Sequence, residues 1–266
     1  MPPFEQTPVT VCLLDSGLLH GSDLVRHVVA GVDLTRDVPS DDWASSTNAH
    51  GSHVAETVLT ECPEARLAVV RIIDNNGWLG TQERINAGFA WVLERLDQFG
   101  PVVVCAAFGD LFHHRSDASL RDTPLCRTIQ SLRDADVLTV TAAGNMYPRF
   151  RRAQPQGMAW PAILRETISV GALSIAQTTN SLTFDPFSQR LHASCGTDCA
   201  TTLFALPGPP GDSSGAAARV AGRLAYLMQT SADKTDAVRS DVLLATLLGE
   251  TRRLQDSLTG LTWPAL

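Results

Sequence analysis

This chain is nearly without lysine: Lys234 is the only one, and the remaining basic residues are arginine. A formal net charge of −7 with a pI near 5.4 argues against nucleic acid or an anionic membrane as main partner. No apolar run approaches the roughly 18–20 residues that a membrane span requires. The opening residues, Met1-Pro2-Pro3-Phe4-Glu5-Gln6-Thr7-Pro8, lack both a basic n-region and an apolar h-region. No secretory signal is read there, and the cytoplasm is the expected compartment. Repeats, low-complexity tracts and linkers are also missing, so one domain over residues 1–266 is expected. Metal-ligand spacing is no better supplied. Cys195 and Cys199 are the one close cysteine pair, no second pair completes a zinc site, and the six cysteines would stay reduced in the cytoplasm. No cofactor and no metal are expected.

What the chain does have is apolar material for a sizeable core, 44% hydrophobic against 18% charged. Short apolar runs at 9–14, 67–73, 101–106, 137–143 and 167–170 read as strands. Between them lie helical patterns: a run after His50, then 81–97 with Ile85, Phe89, Val92, Leu93 and Leu96 at helical spacing, then about 119–133. Two further helix-like segments cover 213–228 and 235–248. Unbroken apolar strands alternating with helices predict an α/β fold, doubly wound, with a mainly parallel sheet and helices on both faces. Sites in such folds lie beyond the carboxyl ends of the strands. Asp15, Gly109 and Asn145 each fall just after a predicted strand, which places them on one rim.

Four stretches carry chemistry. His50 heads the segment His50-Gly51-Ser52-His53-Val54-Ala55, where small residues leave the imidazole uncrowded at a helix start and able to carry protons near neutral pH. Asp15, in Asp15-Ser16-Gly17, is a carboxylate at a buried strand end. Asn145 follows Ala142-Ala143-Gly144, small enough to bring backbone close to a ligand, and its amide could donate to a developing oxyanion. Ser214 stands in Gly211-Asp212-Ser213-Ser214-Gly215 at the head of a small-residue helix, whose N-terminus offers free N–H groups and partial positive charge. Singly, each is equally a turn, a cap or a surface residue. A metal reading of His50, His53 and Asp15 is disfavoured, because the two histidines are three apart, no Glu lies in a zincin arrangement, and Asp15 as third ligand is only a guess.

The chain order Asp, His, Asn, Ser distinguishes the set from the orders of chymotrypsin-like enzymes and α/β-hydrolases. With it, Asp15-Ser16-Gly17, the His50 segment, Ala143-Gly144-Asn145, Val170-Gly171-Ala172 and Val220-Ala221-Gly222 resemble the subtilisin-like (subtilase) serine proteases over about residues 9–249. The resemblance implies Ser214 as nucleophile, His50 as general base and then acid, Asp15 as the group orienting His50, and Asn145 as oxyanion donor. It also implies that Ala107-Phe108-Gly109 acts as the edge strand that pairs with a substrate backbone, and that Gly144 and Ala159 line a specificity pocket.

Departures stand beside these matches. The family's Gly-Thr-Ser-Met-Ala-x-Pro becomes Asp212-Ser213-Ser214-Gly215-Ala216-Ala217-Ala218, which puts a carboxylate two residues before the serine. Gly211-Asp212-Ser213 imitates a trypsin-like motif with Ser213 as nucleophile, but the spacing to Val220-Ala221-Gly222 selects Ser214. The short run 60–66 lacks the insertion that carries calcium in many secreted relatives, and no such site is expected. With Asp15 so near the start, no folding prodomain of the usual kind is expected ahead of it, and the chain is expected either to fold unaided or to be a truncated form. The expectation is therefore a cytoplasmic processing protease of narrow specificity, acting on a peptide or protein substrate, with an activating or inhibitory protein partner as a means of control. The alternatives are a subtilase fold kept as a binding module, or an esterase or peptide ligase with the same triad. Arg149, Arg151 and Arg152 could favour acidic substrate residues but read better as a solvated loop, as do His113 and His114; Asp110 and Asp212 point the other way, toward basic residues, and the sequence does not decide between them.

Overall fold

In the computed structural model, which describes residues 8–196, 198–231 and 239–266, the valine- and leucine-rich runs form the centre of a ten-stranded sheet. Its strands are β1 (Thr10–Asp15), β2 (Val28–Asp33), β3 (Arg66–Arg71), β4 (Val102–Ala106), β5 (Leu138–Ala142), β6 (Ile168–Ile175), β7 (Leu182–Phe184), β8 (Leu203–Ala205), β9 (Arg252–Gln255) and β10 (Thr262–Ala265). They lie in the order β2-β3-β1-β4-β5-β6-β8-β10-β9, with β7 paired to β6. Every pairing from β2 to β10 along that path is parallel; β9 with β10 and β6 with β7 are antiparallel. The sheet is thus the doubly wound α/β arrangement that the sequence predicts.

Central strands are buried on both faces because helices cover both. The helices are α1 (His50–Glu61), α2 (Gln82–Leu93), α3 (Leu96–Phe99), α4 (Pro124–Asp134), α5 (Tyr147–Phe150), α6 (Asp212–Ser231) and α7 (Ser240–Gly249). Alternate residues of β1 split between two cores: Val11 and Leu13 pack with α1, α6 and α7, while Cys12 and Leu14 pack with α2 and α4. Each such side chain taken fully out of water contributes about 1.5–3 kcal/mol.

Several elements differ from the sequence reading. Strands β2, β7, β8, β9 and β10 carry no strong strand signal, because they are short or peripheral: Gly31 interrupts β2, Arg252 and Arg253 open β9, and Pro264 sits in β10. The helix read over 81–97 ends at Leu93 and resumes as the single turn α3. The one read from 119 begins at Pro124, where the Thr123 hydroxyl caps the Cys126 N–H and proline fits the first turn. Residues 235–238 of the last predicted helix lie outside the described residues; from Ser240 it is helical as expected.

Two features of this architecture position the site. The strand order reverses about β1, with β3 on one side and β4 on the other, which opens a crevice at their carboxyl ends. In addition, α6 lies unusually close to α1. A Cβ on Gly222 would sit 2.7 Å from the Val58 carbonyl oxygen and 2.8 Å from the Glu61 Cβ, so only glycine permits the approach. Arg219 closes the seam from α6 with a 3.0 Å ion pair to Glu61 and a 2.9 Å hydrogen bond to the Leu206 carbonyl. Gly222→Val is expected to destabilise the fold by about 2 kcal/mol in urea unfolding through overpacking. Gly249→Ala, where the added carbon meets nothing within 4 Å, is expected to be near neutral.

Candidate active site

The rim at the carboxyl end of the sheet gathers Asp15, Ala107 and Asn145. Register places Leu13 opposite Cys105, so Asp15 and Ala107, two residues further on, leave neighbouring strands at one level. Asp15 is buried at 2% exposure. Its Oδ1 accepts the Ser16 N–H at 2.7 Å and pairs with His50 Nδ1 at 2.8 Å. The pairing depends on how α1 begins. Asn48 Oδ1 caps the His50 N–H at 3.0 Å, Ser16 Oγ accepts from the Gly51 N–H at 2.9 Å, and Ser52 Oγ accepts from the Leu19 N–H at 2.8 Å. Gly51 touches the Gly17 carbonyl where any Cβ would sit. The first turn of α1 is thereby pressed against the turn that follows β1. Burial of the imidazole opposes its protonation, but the Asp15 charge and hydrogen bond outweigh it and hold the His50 pKa above the ordinary value.

The two serines at the head of α6 occupy different environments. Ser213 is fully buried. Its hydroxyl donates to Asn145 Oδ1 at 2.7 Å and accepts the Gly144 N–H at 3.2 Å, while its own N–H also reaches Asn145 Oδ1 at 3.1 Å. The Asn145 amide is therefore held by its oxygen, and its Nδ2 remains the end able to donate elsewhere. Ser214 keeps 9% exposure, and its Oγ donates to the Ala107 carbonyl at 2.7 Å. Among the described residues no hydrogen bond joins Ser214 to His50. Asp212 adopts a left-handed backbone (φ 50°), a conformation aspartate tolerates better than most residues. Burial first, and then the Asp185 carboxylate, push its pKa up.

Ala107, Phe108 and Gly109 continue β4 beyond its last ladder residue and have no strand partner among the described residues. Gly109, Gly144 and Ala159 do come together: a Cβ on either glycine would lie 2.8 Å from the Ala159 methyl. Ala159 is itself buried, tied to Ala143 by a 2.9 Å backbone bond. Nothing in the sequence singled out Gln189, a buried glutamine in a loop, yet its side chain lies directly against Gly144. The solvated-loop reading of His113 and His114 is overturned. His113 stacks on Phe150 at 4.6 Å and bonds to Gln154 and Gln189, while His114 pairs with Asp110 at 2.8 Å. Asp110 also accepts the Trp160 N–H at 3.0 Å, so its carboxylate serves the fold. Arg149, Arg151 and Arg152 are exposed, as read. No disulfide joins Cys195 to Cys199.

Among the described residues no group of three or more His, Cys, Asp or Glu side chains is arranged to hold a metal ion. No described helix is long and apolar enough to cross a membrane.

Against known proteins, a family model described as the subtilase family matches residues 6–260. Among solved structures, a cold-adapted subtilisin-like serine proteinase is similar at 21% identity and TM-score 0.70, covering 99% of this chain and 90% of its own. A sphericase is similar at 19% identity and TM-score 0.73, covering 91% and 82%. A lanthipeptide protease is similar at 18% identity and TM-score 0.70, covering 95% and 84%. At these identities the structures speak to the fold. No curated protein matches the sequence.

The geometry fixes a sign for His50. Its protonated form, paired with Asp15, stabilises the fold fully below about pH 6.5, and that contribution is lost as pH rises through the elevated folded value. In Asp15→Asn the charge is gone while burial remains, so a histidine-resolved NMR titration should find the His50 pKa below that of wild type and below the ordinary imidazole value.

Proposed function

Because the chain belongs to the subtilase family, we propose that it is a serine endopeptidase in which Asp15, His50 and Ser214 act as the triad. The observation that carries the reading is the 2.8 Å pairing of His50 Nδ1 with buried Asp15, which leaves Nε2 as the working nitrogen. In this mechanism the Ser214 hydroxyl turns from the Ala107 carbonyl to His50 Nε2. It attacks the substrate carbonyl carbon as its proton passes to the imidazole. Asp15 stabilises the imidazolium that forms. The carbonyl oxygen, now negative, takes hydrogen bonds from Asn145 Nδ2 and from the N–H of Ser214. His50 then gives its proton to the leaving amine, and a water activated by the same imidazole releases the acyl group from Ser214.

Ser213 takes a supporting role in this scheme. Its hydroxyl is spent on Asn145 and Gly144 within the fold, which leaves Ser214 as the serine able to react. The substrate backbone lies along Ala107–Gly109 as an added strand, and a side chain enters beside Gly144 and Ala159. Gly144 presents bare backbone on that side, because a Cβ on it would meet Gln189 and the Ala159 methyl. We assign the enzyme to the processing of one peptide or protein substrate in the cytoplasm, with a protein partner as a means of control. The Ser214–Ala107 hydrogen bond gives the binding-module alternative its one specific support, and labelling decides between them.

A fluorophosphonate probe should add once to the wild type and to Ser213→Ala, and not to Ser214→Ala, by intact mass. An unlabelled wild type would instead favour the binding module. Asn145→Ala should lower kcat by about 10²–10³-fold. The base must be neutral to act, so kcat/KM should rise with pH along a limb centred above about 6.5, the ordinary imidazole value.

A further inference from the structure

Ser188, Gln189 and Arg190, in the segment between β7 and β8, are all fully buried although all are polar. Each is accounted for by specific partners. Ser188 Oγ accepts the Ala172 N–H at 2.8 Å. Arg190 stacks 4.0 Å over Tyr147 and forms a 3.1 Å ion pair with Asp256, itself 2% exposed, from the turn between β9 and β10. Gln189 reaches the other way, toward the rim. Its backbone N–H donates to the Gly144 carbonyl at 2.8 Å, and its Oε1 accepts the Met146 N–H at 3.2 Å. Its Nε2 donates to the Phe112 carbonyl and to His113 Nδ1, both at 2.9 Å.

The sense of these bonds is dictated by chemistry. A carbonyl can only accept and a backbone N–H can only donate, so Oε1 faces Met146 and Nε2 faces Phe112. His113 Nδ1 must then accept, which leaves its proton on Nε2, bonded to the Gln154 carbonyl at 2.8 Å. Burial chiefly holds the His113 pKa down, and the neighbouring His114 and Arg115 add to this against the Gln154 bond that would raise it. His114 is in turn engaged by Asp110, and the ring face is covered by uncharged Phe150. His113 thus stays neutral and keeps an acceptor ready for Gln189.

We propose that Gln189 is a positioning residue for the oxyanion donor: it clamps the Gly144–Met146 turn to the Phe112–His113 loop and so fixes where Asn145 points. The inference rests on the protease reading above and deepens it. Gln189 binds the residues on either side of Asn145, while Ser213 holds the Asn145 amide oxygen. Gly144, at φ 105° and in contact with Gln189 Oε1, has no space for any side chain that would compete. Backbone and side chain of the donor are set separately, and the first of these tasks falls to Gln189.

The test uses Gln189→Met, which keeps the bulk and the backbone bond to Gly144 but removes the side-chain hydrogen bonds, and Gln189→Glu, which keeps an acceptor. On a short peptide ester Gln189→Met should lower kcat about tenfold, as small misplacements of a catalytic group do, with KM within about twofold. In an Asn145→Ala background the same substitution should lower kcat no further, because the group it positions is gone. Equal losses in both backgrounds would overturn the proposal. Histidine-resolved NMR provides a readout independent of turnover. In Gln189→Glu the carboxylate pairs with a protonated His113 Nδ1, so the His113 pKa should rise above the ordinary imidazole value, whereas in wild type it lies below. An unmoved His113 titration would show that the clamp does not form. A wild type that fails to turn over any ester would count against the protease reading, while the His113 titration would still decide the clamp.

Discussion

Everything at the rim depends on the contact between His50 and Asp15, a hydrogen bond of 2.8 Å that joins residues 35 positions apart. For it to exist, the first turn of a helix must lie on the end of the central strand, with no room for a side chain between them. Gly51 against Gly17 meets that condition, and the hydroxyls of Ser16 and Ser52 hold it by satisfying N–H groups that the helix and turn would otherwise leave unpaired. The same condition recurs one layer away, where Gly222 lets α6 lie against α1 and brings its N-terminus to the same rim. Small residues thus set distances here that side-chain packing cannot set.

Behind the rim the polar groups are layered. Asp15, His50, Ser214 and Asn145 face the crevice. Ser213 and Gln189 stand behind Asn145, and Arg190 with Asp256 stands behind Gln189. Ser213 and Gln189 hold Asn145 and its flanking backbone from behind, which favours a single arrangement of that part of the site over several near-equal ones. Burial disfavours the charged form of both histidines, and their partners decide the outcome. His50 gains a carboxylate and is held more basic than usual, whereas His113 gains only neutral partners and is held less basic.

The sequence made legible what periodicity and chain order can carry: the parallel sheet, the helices on both faces, and the Asp15, His50, Asn145, Ser214 order within a subtilase. The peripheral strands escaped because arginine, proline or glycine in β9, β10 and β2 are placed by pairing geometry and not by any local preference. Gln189 and His113 escaped for a different reason. They lie 76 positions apart, and each alone is an unremarked polar residue; only the fold turns them into donor and acceptor. Asp212 was visible as an anomaly, and its left-handed backbone accounts for its place where the family carries glycine.

Arg190 and Asp256 carry one further consequence, which concerns the direction of synthesis. The ribosome delivers Ser214 and the whole of α6 before it delivers Asp256, so a nascent chain holds the residues of the candidate site while Arg190 still lacks its carboxylate. An arginine buried without its partner costs about 3–5 kcal/mol. The loop that backs Asn145 therefore gains this support only as β10 closes on β8 with β9 beside it, so strands translated after α6 complete the rear wall of the site.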